Sequence, residues 1–86
     1  MQRQLHPAEA SQQATDALAA AGFKGLAVNS WLQGNIFVTT TVRVNAGDAT
    51  RVLAVLRALP YAASSGQGWK GKAYEVWISR RVNMAG

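Results

Sequence analysis

Gly66-Gln67-Gly68-Trp69-Lys70-Gly71-Lys72-Ala73 is the stretch whose residue types and spacing come nearest to chemistry, because glycines that bare backbone amides beside lysines can cradle an anion. Read as G-x-G-x-x-G, residues 66–71 should follow a strand and open a helix, so that a pyrophosphate meets the helix N-terminus. Here they follow a helical pattern and precede a strand. Read as G-x-x-x-x-G-K, residues 66–72 lack the hydroxyl that holds magnesium, since Ala73 stands where Ser or Thr is needed. A coarser chemistry survives: exposed amides beside Lys70 and Lys72, in a flexible loop, can meet a phosphate or carboxylate.

No other grouping points to catalysis. The chain has one histidine and no cysteine, which excludes disulfides, thiolate zinc sites and imidazole clusters. His6 precedes Pro7 and suits a helix-capping or exposed role. Glu9 and Asp16 share a helix face but are separated by a rise of about 10 Å, too far for two carboxylates to share a proton. Serines and threonines are plentiful, yet none is paired with an activating base. The expectation is a protein that is not an enzyme and holds neither cofactor nor metal.

Nine Lys/Arg against four Asp/Glu give a formal charge of +5, which biases encounters toward nucleic acid, acidic protein surfaces or anionic lipid. With 86 residues, 49% hydrophobic and 15% charged, the chain reads as one packed domain over residues 1–86. No apolar run approaches the roughly 20 residues that span a bilayer, and Met1 to Ser11 lacks the apolar centre of a signal peptide. A cytoplasmic protein without membrane attachment is expected.

The elements that would position these residues can be read from periodicity. Pro7 to Ala21 predicts a first helix, with Pro7 at its start, Gly22 beyond its end, and a stripe of Ala10, Ala14, Ala17, Leu18 and Ala21. Leu26 to Gln33 and Ile36 to Val44 predict a hairpin. A three-residue loop over Gln33, Gly34 and Asn35 would pair Leu32 with Ile36 and keep the apolar residues on one face. Asn45 and Asp48 resemble a cap, after which Ala49, Val52, Leu53, Leu56 and Leu59 recur at helical spacing up to Pro60. Tyr61 to Lys72 is predicted to be a Gly/Ser-rich loop that begins with a short strand at most, Ala73 to Val82 a final strand, and Asn83 to Gly86 a frayed tail.

The predicted fold class is α+β: a two-layer sandwich with two helices on one face of an antiparallel sheet of three or four strands, in the order αββα(β)β. A strand at Gln2 to Leu5 would instead give the ferredoxin-like order βαββαβ, the second choice.

Alternation then defines a surface. If Leu26, Val28, Ile36, Val38, Val42, Val76 and Ile78 face the helices, Trp31, Phe37, Thr39, Thr41, Arg43, Trp77, Ser79 and Arg81 face away. Two tryptophans and a phenylalanine beside arginines are unusual on a solvated sheet face. With Trp69, Lys70 and Lys72 of the loop, these residues form the candidate binding set. Lys70, Gly71, Ala73, Tyr74 and Trp77 also occupy positions used by the aromatic-basic strand motif of RNA-recognition domains. Lys72, however, stands where a stacking aromatic belongs and Glu75 where an apolar residue is usual, so no family assignment follows.

Three roles fit such a face. The loop carrying Trp69 can fold across it, or two chains can bury it in a symmetric homodimer. Aromatics can stack on unpaired bases while Arg43, Arg81, Lys70 and Lys72 neutralise phosphates. A different protein with an acidic surface can dock there, making the chain an adaptor or inhibitor of a host complex, as small phage or mobile-element proteins are.

Overall fold

The computed structural model describes residues 3–84, beginning with a two-residue strand, β1 (Arg3–Gln4). Helix α1 (Pro7–Ala20) follows, with Pro7 in its first turn, where a missing N–H costs nothing, and Glu9 near the positive end of its dipole. Ala10, Ala14 and Leu18 of the predicted stripe are buried, whereas Ala17 is only half-buried and Ala21 is exposed. Gly22 leaves the helix at φ +94°, the left-handed geometry foreseen for it.

Strands β2 (Val28–Gln33) and β3 (Phe37–Val44) form the hairpin. A 3₁₀ turn over Ala46–Asp48 leads into α2 (Ala49–Arg57), which buries Ala49, Val52, Leu53 and Leu56 and exposes Thr50, Arg51, Ala54 and Arg57. Asn45 makes no side-chain cap hydrogen bond. Strands β4 (Ala62–Lys70) and β5 (Ala73–Arg81) follow, and β6 (Asn83–Met84) closes the series.

The main sheet has four antiparallel strands in the order β2-β3-β5-β4. Both helices pack on one face of it. Ala14 and Leu18 from α1 and Val52, Leu53 and Leu56 from α2 share a core with Val42, Val76 and Ile78. A polar seam also ties α1 to the sheet: Ser11 Oγ donates to Ser30 Oγ at 2.7 Å, and Ser30 Oγ lies 2.8 Å from Thr40 Oγ1. No helix among the described residues is long and apolar enough to cross a membrane.

Four expectations are corrected. The largest concerns residues 62–70, which form a full edge strand; their backbone is held by pairing to β5 despite the weak strand preference of Ala, Ser and Gly. The first hairpin does have a three-residue loop, but Gly34, Asn35 and Ile36 form it, and Leu32 pairs with Val38. Gly34 and Asn35 both hold positive φ, of 63° and 60°, so both must lie in the turn and Gln33 stays in the strand. Ile36 is therefore exposed instead of facing the helices.

The ferredoxin-like alternative is overturned because Arg3–Gln4 pairs with Asn83–Met84 in a separate two-stranded ribbon and does not enter the main sheet. Gln2 lies outside the described residues. The same ribbon corrects the frayed tail for Asn83 and Met84, while Ala85 and Gly86 also lie outside the described residues. A small second core explains the ribbon: Leu5, Ala10, Val38 and Val82 are buried together, and Leu5 N–H donates to the Val82 carbonyl at 2.7 Å.

Candidate functional site

Residues paired across an antiparallel sheet share a face, so the register fixes the surface opposite the helices. Trp31 pairs with Thr39, Thr39 with Ser79, and Ser79 with Ser64. In the next rows Thr41, Trp77 and Gly66 align, as do Arg43, Glu75 and Gly68, while Phe37 pairs with Arg81. Alternation in β4 adds Lys70, whose partner is Ala73. Trp31, Phe37, Arg43, Lys70, Trp77 and Arg81 thus occupy one face. The Gly-rich segment, being a strand in the plane of the sheet, does not fold across it.

The centre of this face is a shallow cleft of about 440 Å³ between Trp31 and Trp77, with Lys70 and Glu75 on its lining. Its floor is polar. Buried Thr39 donates from Oγ1 to Gln33 Oε1 at 2.7 Å, and Ser79 Oγ lies 2.9 Å from the same Thr39 oxygen. The tryptophans remain accessible, at 40% for Trp31 and 36% for Trp77. The Trp77 indole lies against the backbone of Gly66, where an added Cβ would be 2.6 Å from its Cζ2. A glycine in the edge strand lets the ring lie flat on the sheet.

Charge on the face is mixed. Arg43 Nε pairs with Glu75 Oε2 at 3.5 Å; Glu75 is largely buried and Arg43 well exposed. Glu75 was missing from the predicted surface, although its place two residues before Trp77 puts it there by alternation.

Two predicted residues lie apart from the others. Trp69 borders the cleft, but its register partner is Tyr74, so its ring belongs to the helix side of the sheet. There it meets Tyr74 edge-on, at 5.1 Å and 87°. Lys72 sits in the two-residue turn of the β4–β5 hairpin beside Gly71, whose φ is +64°, and lines a different hollow with Arg43 and Ala46.

A further residue escaped the sequence reading. Arg80 alternates inward after Ile78 and is 1% exposed beneath the helices. Its Nε donates to the Pro60 carbonyl at 2.9 Å, whereas Nη1 and Nη2 are buried without a hydrogen-bond partner among the described residues. Desolvation pulls its pKa below the usual arginine value.

Among the described residues no three His, Cys, Asp or Glu side chains come together as metal ligands. The face instead offers stacking surfaces, hydroxyl and amide hydrogen-bonding groups, and cations around them. Comparison with protein-family models, curated proteins and solved structures finds no match to this chain, so its surface is read from its own geometry.

Proposed function

We propose that this is a non-catalytic binding protein of the cytoplasm that takes single-stranded nucleic acid on the open face of its sheet. The observation that carries the reading is the pair of accessible tryptophans, Trp31 and Trp77, flanking a hydroxyl-floored cleft with Lys70 on its lining. Unpaired bases offer π-faces to such rings, and Gln33, Thr41 and Ser79 supply groups for base edges. Arg43, Lys70 and Arg81 on the same face supply phosphate contacts, which the chain's +5 charge reinforces at long range.

A second reading has its own support. Leu32 and Ile36 are 50% and 61% exposed at the tip of the first hairpin, apolar residues that an acidic protein partner would cover. The chain would then be an adaptor or inhibitor.

The deciding experiment follows tryptophan fluorescence while nuclease-treated protein is titrated with oligo-dT and oligo-rU. Saturable quenching that weakens steeply as salt rises is expected. No quenching at low salt would overturn the nucleic-acid reading and leave the protein-partner one.

A further inference from the structure

We propose that the cleft prefers guanine among the bases of a single strand, and that Glu75 is the residue that reads it. This specificity rests on the nucleic-acid reading above and adds to it a choice of base.

The polar floor of the cleft has its protons already committed. Thr39 Oγ1 gives its one proton to Gln33 Oε1, so the 2.9 Å contact between Thr39 and Ser79 must be donated by Ser79. Both hydroxyls are 6% exposed, and neither can turn away without leaving a buried partner unpaired. Ser79 therefore lines the cleft with lone pairs and no free proton.

Glu75 adds further acceptors to the same lining. Its side chain is 15% exposed, and its Oε2 meets Arg43 Nε at 3.5 Å, long for a hydrogen bond. Its Oε1 accepts no hydrogen bond among the described residues. The register partner of Glu75 on β4 is Gly68, where an added Cβ would meet nothing within 4 Å. The carboxylate can thus be approached from the β4 side.

Acceptors of this kind favour a base that brings donors. Guanine carries N1–H and the N2 amino group side by side on its Watson–Crick edge, a pair that matches the two oxygens of one carboxylate. Thymine and uracil place a single N–H between two carbonyl oxygens, which a carboxylate repels. Cytosine and adenine offer one amino group beside a ring acceptor. Glu75 precedes Trp77 by two residues on the same face, about 7 Å along the strand, so the edge of a base stacked on Trp77 comes within its reach.

The test compares affinities of the nuclease-treated full chain for alternating strands of about twelve nucleotides, measured by tryptophan fluorescence. Thymine–guanine is set against thymine–inosine, thymine–adenine, thymine–cytosine and oligo-dT; alternation keeps the guanines from assembling into four-stranded structures. The thymine–guanine strand should bind about tenfold tighter than oligo-dT. Inosine, which lacks the N2 amino group, should fall between the two, a comparison that needs no variant. Glu75→Gln should bind the guanine and thymine strands alike while still binding oligo-dT. Equal affinity for all the strands, a preference for adenine or cytosine over guanine, inosine equal to guanine, or a guanine preference unchanged in Glu75→Gln would overturn the proposal and leave the nucleic-acid reading standing. Failure to bind any strand would overturn both.

Discussion

The Trp77 indole rests on Gly66 of the neighbouring strand so closely that a Cβ at residue 66 would lie 2.7 Å from Cε2 and 2.8 Å from Nε1. Gly66→Ala must therefore lift the ring or shift β4, at a cost of about 1–2 kcal/mol. In a Trp77→Ala background the same change should be nearly free. A double-mutant cycle by chemical denaturation checks this, and additive costs would show that the contact does not constrain the strand.

Arg80 supplies a test of the buried face. A guanidinium with two unpartnered terminal nitrogens costs stability, and Arg80→Met should raise it by about 1–3 kcal/mol. Burial lowers the folded-state pKa of an already very basic group, so the associated gain of stability with rising pH falls only where arginine titrates. Thermal melts at neutral and mildly acidic pH should therefore show the same increment. A destabilised Arg80→Met protein would mean that the Pro60 contact outweighs the desolvation.

The seam between α1 and the sheet runs through one hydroxyl, that of Ser30, which bonds both Ser11 and Thr40. Ser30→Ala leaves both partners short of a bond and should cost about 1–2 kcal/mol, measured by urea denaturation. Ser11→Ala, which leaves Ser30 still bonded to Thr40, should cost less.

On the open face, the nucleic-acid reading assigns different signatures to different residues. Trp77→Ala should weaken oligo-dT binding by about 5- to 150-fold with the salt slope unchanged. Arg81→Ala should weaken it modestly and reduce the slope by roughly 0.7. Glu75→Gln should act in the opposite direction, because it releases Arg43 from its ion pair and removes the negative charge from the cleft. Fluorescence titrations at several salt concentrations separate the three.

Much of this was legible in the sequence. Side chains alternate along any strand and recur about every 3.6 residues along any helix, so local order alone identified both helices, the hairpin and the face that unites Trp31, Phe37, Arg43, Trp77 and Arg81. The same rule puts Glu75 and Arg80 on opposite faces of β5, but neither stands out by residue type, and the sequence reading left both out.

What only the tertiary structure decided depends on partners distant in the chain. Residues 62–70 have little strand preference of their own; pairing with β5 and the fit of Trp77 over Gly66 make them a strand. That strand then turns the ring of Trp69 to the helix side, leaves the cleft uncovered and presents β4 as an unpaired edge. The β1–β6 ribbon likewise exists because Leu5 and Val82 are buried in one small core, a contact that local sequence does not encode. Composition and periodicity determined which residues could form a binding surface, and long-range pairing determined which of them meet there.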